Sequence, residues 1–330
     1  MFSIIFSDDY PLRREAEEFL EQWYGGEEFI TAHTSGSTGE PKEIRLPKQD
    51  MLLSARATNL RFSISASSRL LCPLSPGYIA GKMMVVRAIA AQCAVAFVTP
   101  SNRFTDSDVV NNFLDDGPVG LLPVVPSQCQ ALARWKHLPH VDNIIVGGAP
   151  LSPGMEEQLA STGSGTAFYA TYGMTETCSH VALRRLGEPR FEAMPGITFT
   201  VDNRDCLTVN APEYSFGRLQ TNDIVRLTSP RTFEWLGRYD NVINSGGIKI
   251  FPEKLERELA LLLPFQFYIK GIPSEKWGAE TALVCPADAP LDDAEILALC
   301  RSRLAPFQVP RSVIRMTQLP LTSTGKLRRL

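Results

Sequence analysis

The chain contains 330 residues, which is longer than a single hydrophobic core usually becomes, so two domains are expected. A hydrophobic content of 44% with 21% charged residues is typical of an ordinary globular protein and argues against disorder. The formal net charge of -3 argues against a nucleic-acid groove and a polybasic membrane patch, so a small-molecule partner is expected.

The first predicted elements surround a polar loop. The opening stretch MFSIIFSDDY has no basic segment and too short an apolar run for an export signal. Apolar residues then recur at helical intervals over residues 11–24, between a proline and two glycines, and predict an amphipathic helix. EEFITAH is typical of a strand that leads into the loop, and KQDMLLSARATNLRF returns to helical spacing.

Short apolar runs and helical segments alternate through the middle of the chain. The runs RLLCPL, CAVAFVT, VGLLPVV and DNIIVGG are typical of strands that are buried on both faces. Helix-like segments such as YIAGKMMVVRAIAAQ and SPGMEEQLAS separate them. This alternation predicts an α/β fold with a parallel sheet.

The last third of the chain changes in character twice. Beyond about Ala193, short strands and frequent turn residues predict a small antiparallel or barrel-like β subdomain that packs onto the sheet. Further on, Pro252 opens a helix, and strands and helices then alternate as expected for a compact α+β domain. We therefore predict an N-terminal domain over residues 1–240 and a C-terminal domain over 241–330, with any pivot near residues 239–241.

The cysteines and histidines predict neither disulfides nor a metal cluster. The seven cysteines are odd in number and scattered, without a C-x-x-C pair, and predict reduced thiols in a cytoplasm. The four histidines show no metal-ligand spacing. Nowhere do about 18 uninterrupted apolar residues occur, so no integral membrane span is expected.

The loop TSGSTGEPK, residues 34–42, has the composition of a phosphate-binding segment. Its glycines let the backbone approach a ligand, its hydroxyls add donors, and Lys42 offsets negative charge. The spacing differs from the G-x-x-x-x-G-K-[ST] pattern of P-loop nucleotidases. On composition alone, a polyphosphate site and a solvated surface loop both stay open.

Six motifs in a fixed order favour the phosphate site: TSGSTGEPK (34–42), GGAPL (147–151), YGMTET (172–177), TND (221–223), GRYDNVINSGG (237–247) and TSTGKLRR (322–329). Together they resemble the acyl-adenylate-forming superfamily, which includes acyl-CoA synthetases, adenylation domains of nonribosomal synthesis and luciferases. The resemblance implies a large N-terminal α/β domain with a small β subdomain, and a mobile C-terminal α+β domain. ATP, Mg²⁺ and coenzyme A are the implied ligands.

Residue roles in ATP binding follow from this resemblance. Its motifs supply a phosphate loop, a segment that borders adenine, a stacking ring and ribose contacts. The implied ATP-binding residues are Thr34, Ser35, Gly36, Ser37, Thr38, Gly39, Lys42, Gly147, Gly148, Ala149, Tyr172, Gly173, Thr175, Asp223 and Arg238. Among them, Tyr172 would stack beside adenine and Asp223 would accept both ribose hydroxyls.

The resemblance also implies the reacting groups. Glu176 would bind Mg²⁺, for which a hard carboxylate oxygen is a suitable ligand, and Lys326 would be the catalytic lysine. Asp240 fits the hinge between the domains. The coenzyme A channel would be lined by Ser245, Gly246 and Gly247.

The acid pocket departs from the common family pattern. Far fewer residues precede the phosphate loop than in most members, so we expect a pocket that is more open or is completed by another subunit. Tyr78 stands ahead of Gly81 where many members have an aromatic residue or a histidine, which makes Tyr78 a candidate pocket wall. Ser179 and His180 closely follow YGMTET and would make the pocket partly polar.

Within the superfamily, the chain looks most like a compact o-succinylbenzoate-CoA ligase, which implies ligation of that acid to coenzyme A with release of AMP. Three alternatives stay open: a ligase for another aryl or short-chain acid, a domain that loads a carrier protein, and a homologue that binds nucleotide without turnover. The expected partners are a carboxylic acid, ATP and coenzyme A. The sequence leaves open whether the enzyme is a homo-oligomer.

Overall fold

The computed structural model describes residues 1–7, 10–33, 43–320 and 329. Its N-terminal part contains β1 (Ser3–Phe6), α1 (Arg13–Tyr24), β2 (Phe29–His33), β3 (Glu43–Pro47), α2 (Lys48–Arg61), β4 (Arg69–Cys72), α3 (Ile79–Ala91) and β5 (Ala94–Phe97). The helix predicted over residues 11–24 is confirmed as α1. Its apolar positions Ala16, Phe19 and Trp23 are buried, and Gly25 ends it.

Two small sheets and a helix pair form this part of the molecule. Strands β1, β5 and β4 make a parallel sheet in that order; β4 and β5 were predicted from their apolar runs, and β1 was not. β2 and β3 pair antiparallel on either side of residues 34–42. Helix α3 packs against α2, and its central residues from Met83 to Ala88 are buried in the same core.

The middle of the chain forms one nine-stranded mixed sheet with three helices. Its elements are α4 (Asp108–Asp115), β6 (Leu122–Val124), α5 (Cys129–Leu132), β7 (Asn143–Val146), α6 (Pro153–Ala160), β8 (Ala167–Gly173), β9 (His180–Arg185), β10 (Phe191–Ala193), β11 (Thr198–Val201), β12 (Cys206–Ala211), β13 (Gly217–Ser229) and β14 (Thr232–Arg238). The strand order is β11-β12-β13-β14-β10-β9-β8-β7-β6. Strands β6, β7 and β8 pair in parallel.

The antiparallel strands correct one expectation. They were predicted to pack onto the parallel sheet as a subdomain, whereas they continue it edge to edge. The reason is that β9 turns back and pairs antiparallel with β8, which leaves an open edge for β10 and then β14. Backbone hydrogen bonds therefore connect the two predicted parts through the turn after β8.

The C-terminal part has its own hydrophobic core. Its elements are β15 (Ile243–Ser245), β16 (Ile248–Ile250), α7 (Pro252–Leu259), β17 (Tyr268–Ser274), β18 (Gly278–Pro286), α8 (Asp293–Arg303) and β19 (Ser312–Met316). Leu255, Leu283 and Ile296 are fully buried in a hydrophobic cluster whose buried members all lie between Ile243 and Leu304. This separate core supports the predicted α+β unit, while the boundary at residue 240 stays a prediction.

All seven cysteines are buried and free, as predicted. Burial raises the pKa of several of these thiols, for example that of Cys72 to about 12, so they stay protonated at neutral pH. Within the described residues, no helix combines the length and apolar character that crossing a bilayer requires.

Candidate functional site

The carboxyl ends of β7 and β8 place two of the predicted motifs side by side. These neighbouring strands are parallel, so Gly147 and Gly148 follow β7 at the same sheet edge at which Gly173 ends β8. Gly148 has φ +83, and a Cβ on Gly147 would lie 2.8 Å from Thr171 Oγ1. Open α/β sheets bind ligands at this edge, and a backbone without side chains permits close approach.

The turn after β8 is held by a short hydrogen-bond network. A Cβ on Gly173 would lie 2.4 Å from the Ser179 carbonyl oxygen, so only glycine fits there. Thr177 donates to that same carbonyl, and its hydroxyl also accepts from the Met174 N–H at 3.0 Å. Glu176 lies between them in a 3₁₀ turn over Thr175–Thr177 and is exposed to solvent.

Glu176 is suited to Mg²⁺ in one specific way. Among the described residues, no group of three or more acidic, histidine or cysteine side chains could enclose a metal. Mg²⁺ at nucleotide sites typically takes one or two carboxylates and completes its shell with phosphates and water. A single exposed carboxylate fits that kind of site and does not fit an all-protein metal cage.

Asp223 is the centre of a second cluster, at the junction of β8, β13 and β14. Tyr172 Oη donates to its Oδ2 at 2.7 Å, and Trp235 Nε1 donates to its Oδ1 at 3.1 Å. Arg238, its cross-strand partner, lies 3.9 Å away. Burial first, and then the charge of Asp223, raise the pKa of Tyr172 well above its usual value, so the phenol remains a donor.

This arrangement brings Tyr172, Asp223 and Arg238 together, as their assignment to one nucleotide site requires. A carboxylate has about four lone-pair positions, so Asp223 keeps acceptor capacity for the hydroxyls of a ligand. The sequence reasoning missed Trp235. The available signal was an aromatic residue three positions before Arg238 on a strand next to the TND motif.

A chain of buried hydrogen bonds connects Arg87 to Ser179 and His180. Arg87 Nη2 donates to Ser179 Oγ at 2.6 Å, and that oxygen lies 3.3 Å from His180 Nδ1. His180 Nε2 lies 3.2 Å from Thr58 Oγ1, whose hydrogen is donated to the Ser54 carbonyl oxygen at 3.0 Å. The Thr58 hydroxyl must therefore accept from His180 Nε2, which leaves Nδ1 to accept from Ser179.

The charge in this cluster belongs to Arg87 alone. Burial and the neighbouring guanidinium lower the pKa of His180 well below its ordinary value, so the imidazole is neutral. Burial lowers the pKa of Arg87 to about 10, at which the side chain is still charged at neutral pH. Arg87 is 2% exposed and its Nε has no partner. Within the described part of the chain, no carboxylate pairs with it.

Arg87 was missed from the sequence although a signal was present. It is the only charged residue in the run MMVVRAIAA of α3, and a cation inside an apolar helix needs a partner or a function. Tyr78, which was predicted as a pocket wall, precedes α3 and is 69% exposed, unlike the buried His180. The structure therefore does not enclose Tyr78, and its role stays a prediction.

The hinge and the coenzyme A turn lie in the described part of the chain. Asp240 accepts from Arg238 at 3.2 Å and from Asn222 at 3.5 Å. Gly246 and Gly247, which follow Ser245 between β15 and β16, have φ +58 and +85. A Cβ on Gly246 would lie 2.6 Å from the ring of Trp277, so the turn is in close contact with an indole.

Two predicted groups lie outside the described residues, namely the phosphate loop Thr34–Lys42 and the catalytic lysine Lys326. The strands on either side of the loop, β2 and β3, are described. Arg329, three positions after the lysine, forms a double hydrogen bond with Glu256 at 2.6 Å and 2.6 Å.

Family comparisons match both parts of the chain. A model described as AMP-binding enzyme matches residues 28–213, which is more than half of the chain. The chain belongs to the AMP-binding enzyme family. A second model, AMP-binding enzyme C-terminal domain, matches residues 266–326, so the α+β unit is also a recognised part of that family. The resemblance stated from the six motifs is thereby confirmed.

Individual relatives agree with this membership. The 2-succinylbenzoate–CoA ligase of Listeria monocytogenes is 25% identical over 340 residues, which cover 96% of this chain and 72% of the ligase. An acyl-CoA synthetase (AMP-forming)/AMP-acid ligase II-like protein of Dyadobacter fermentans is 31% identical with a TM-score of 0.64, covering 96% of this chain and 92% of that protein. The O-succinylbenzoate coenzyme A synthetase of Bacillus subtilis, solved with ATP and magnesium, has the same fold at 20% identity, with a TM-score of 0.76 and coverage of 90% and 68%.

Proposed function

We propose that this protein is an ATP-dependent acid–CoA ligase that forms an acyl-adenylate and then an acyl-CoA thioester, with o-succinylbenzoate as the acid. Family membership supports the reaction class, and relatives named 2-succinylbenzoate–CoA ligase support the acid. The observation that carries the choice of a dicarboxylic acid is Arg87, which is buried and which no carboxylate of the described residues pairs with.

An isolated buried charge is unfavourable, and the described residues supply no anion for Arg87, so the guanidinium is available to an anion of a ligand. A dicarboxylic acid supplies one carboxylate for the reaction and a second for Arg87. Ser179 and the neutral His180 complete a polar wall beside the guanidinium. A fatty acid has no second anion and would leave the guanidinium unpaired.

The nucleotide half of the site would use the groups predicted from the motifs. Asp223 would accept the ribose hydroxyls, Gly147 to Ala149 would border adenine, and Tyr172 would lie beside it. Glu176 would hold Mg²⁺, which neutralises phosphate charge. Lys42 in the phosphate loop and the catalytic Lys326 would add positive charge around the reacting phosphates.

Two balanced steps follow from this arrangement. In the first, a carboxylate oxygen of the acid forms a bond to the α-phosphorus of ATP while the bond to pyrophosphate breaks. In the second, the coenzyme A sulfur forms a bond to the acyl carbon, the bond to AMP breaks, and the thiol proton passes to solvent. The turn Ser245 to Gly247 would line the path of the thiol.

A matched pair of acids tests the proposal. Pyrophosphate release is measured with o-succinylbenzoate and with 4-oxo-4-phenylbutanoate, which differs only in lacking the ring carboxylate. We expect Arg87→Met to raise KM for the dicarboxylic acid by at least about 30-fold, since loss of a buried charge partner costs about 2 kcal/mol or more. KM for the monocarboxylic acid should change little.

The control and the contradicting results are equally specific. Arg87→Lys keeps the charge and should lose less than Arg87→Met. Equal increases in KM for both acids would contradict binding of the second carboxylate by Arg87. Activity with other aryl or short-chain acids alone would favour a ligase for such an acid. Transfer to a phosphopantetheinyl protein in place of coenzyme A would favour a domain that loads a carrier protein. The absence of pyrophosphate release with every acid would favour a non-catalytic homologue.

A further inference from the structure

Helix α1 holds the turn that leads into α3. Glu15 Oε2 accepts from Ser75 Oγ at 2.6 Å and from the Gly77 N–H at 3.0 Å. The Gly77 N–H also reaches Ser75 Oγ at 3.0 Å. One carboxylate oxygen of the N-terminal helix therefore joins both ends of the turn that precedes Tyr78 and α3.

The turn has little room to change shape. A Cβ on Gly77 would lie 2.6 Å from Glu15 Oε2, and a Cβ on Gly81 would lie 2.2 Å from the Ser75 carbonyl oxygen. The Tyr78 N–H donates to that same carbonyl at 3.3 Å. Neither Gly77 nor Gly81 has room for a side chain, so the turn is packed tightly against the start of α3. The position of the turn therefore sets the position at which α3 begins.

Helix α3 carries Arg87 about two turns further along, roughly 12 Å from its first residue at 1.5 Å per residue. Among the described residues, two further hydrogen bonds add to the packing of α3 against α2: Lys82 Nζ donates to the Thr31 carbonyl oxygen at 3.2 Å, and Asn59 Nδ2 donates to the Arg87 carbonyl oxygen at 2.9 Å. The Glu15 contact is the attachment at the N-terminal end of α3.

We propose that Glu15 is a positioning residue for acid binding, an inference that rests on the proposed function. By holding the turn, Glu15 sets the axial position of α3 and hence the place of the Arg87 guanidinium beside Ser179. Displacements well below 1 Å weaken a charge-assisted hydrogen bond and disturb the alignment of reacting atoms. Glu15 itself touches neither the acid nor ATP.

Kinetics with both substrates tests this role. We expect Glu15→Ala to raise KM for o-succinylbenzoate by about tenfold and to leave KM for ATP within about twofold, because the nucleotide site lies on β7, β8 and β13. Glu15→Gln keeps an oxygen acceptor for both donors and should restore KM to nearly the normal value. Glu18→Ala is the matched control, since Glu18 lies on the same helix and, among the described residues, pairs only with the exposed Arg14.

A double-mutant cycle checks the pathway. Ser75→Ala removes the Ser75–Glu15 hydrogen bond and leaves the bond from the Gly77 N–H to Glu15, so its effect should be smaller than that of Glu15→Ala. The double variant should be no worse than Glu15→Ala alone, since the shared contact is already lost. Additive effects would contradict the proposal, as would equal changes in KM for acid and ATP, or a Gln variant as impaired as the Ala variant. Thermal unfolding of each variant separates these outcomes from general destabilisation.

Failure of this inference is distinguishable from failure of the proposed function. Calorimetric binding of o-succinylbenzoate without ATP follows the same variants. Wild-type protein that binds the acid and releases no pyrophosphate contradicts the ligase activity, while the Glu15 effect on binding is still measurable. Wild-type protein that converts the acid, with Glu15→Ala unchanged, contradicts the Glu15 role alone. Wild-type protein that neither binds nor converts the acid contradicts both.

Discussion

At the scale of single residues, the proposed acid site combines the buried charge of Arg87 with the neutral His180, and each hydrogen bond between them has a defined donor and acceptor. The donor order runs from Arg87 through Ser179 and His180 to Thr58. Each hydroxyl in this order accepts once and donates once. Protonation of His180 would place a second cation against Arg87 and would remove the acceptor for the Ser179 hydroxyl.

The depressed pKa of His180 predicts a measurable pH dependence of stability. The unfolded chain binds a proton on this histidine below about pH 6.5, whereas the folded chain does not, so stability falls as the pH falls. Between pH 7.5 and pH 5.5, wild-type protein should lose about 1.4 kcal/mol more than His180→Gln, which cannot titrate. Urea unfolding at both pH values measures the difference.

The other three histidines are present in both proteins, so any contribution they make cancels in the comparison. Identical losses in wild-type protein and the variant would mean that His180 takes up a proton equally well in the folded state. KM for the acid should also stay flat from pH 6.5 to 8 in wild-type protein, since no group in this cluster titrates there.

At the scale of elements, the turn after β8 connects the proposed nucleotide and acid parts of the site. It presents Glu176 to solvent on one side and leads to Ser179 and His180 on the other. Its close packing depends on Gly173, whose Cα faces the backbone of residues 179 and 180. The positions of Glu176 and of His180 therefore depend on the same backbone contact.

Gly173→Ala should disturb both groups together. The added Cβ would lie 2.4 Å from the Ser179 carbonyl oxygen and 2.6 Å from His180 Cα, and neither backbone atom can move without shifting the turn. We expect a loss of about 1–3 kcal/mol in the free energy of unfolding, with adenylation falling more than about tenfold. Urea unfolding and pyrophosphate release measure the two effects.

A matched glycine on α6 supplies the control. A Cβ on Gly154 would meet no atom within 4 Å, so Gly154→Ala should leave activity unchanged and stability equal or slightly higher. If Gly173→Ala were as harmless as Gly154→Ala, the turn would be able to move, and the close contact would carry no functional constraint.

At the scale of the whole molecule, a separate C-terminal core meets the rest of the chain next to the predicted hinge. Arg257 on α7 donates to the Trp235 carbonyl oxygen at 2.8 Å, and Glu253 on the same helix accepts from Asn241. Trp235 is also a partner of Asp223. The C-terminal part therefore contacts Trp235, which in turn holds Asp223 of the proposed nucleotide site.

The two half-reactions should respond differently to changes in this part. Lys326→Ala should abolish adenylation and leave thioester formation from supplied acyl-adenylate nearly intact, because the lysine would stabilise charge only while two anions react.

Asp240→Pro should restrict the pivot by fixing φ, so that acyl-adenylate accumulates while the coenzyme A step slows. Quenched-flow assays of each half-reaction provide the measurement.

A result in which both variants stay folded and lose both half-reactions equally would contradict an alternating use of the C-terminal part. Thermal unfolding of each variant shows whether it stays folded, which this comparison requires.

The sequence alone determined the family and many of the strands and helices in chain order. Helical and strand periodicities arise from neighbours within a few residues, and the family motifs are contiguous stretches, so both can be read locally. The α1 helix, the buried strands β4 to β7 and the helix opened by Pro252 were predicted for this reason. The sequence also predicted that Tyr172, Asp223 and Arg238 belong to one site, and the structure places these residues together, with Trp235 as a further member that was missed.

Only the tertiary structure decided which distant residues meet. Thr58 and His180 are 122 positions apart, Arg87 and Ser179 are 92 apart, and Glu15 and Ser75 are 60 apart, yet each pair lies within hydrogen-bond distance. Such contacts depend on how α1, α3 and β9 pack, which no local pattern encodes. Strand pairing is also a contact between distant residues, so it could not be predicted locally. Composition indicated a separate β subdomain, whereas β9 to β14 pair through backbone hydrogen bonds and continue the parallel sheet.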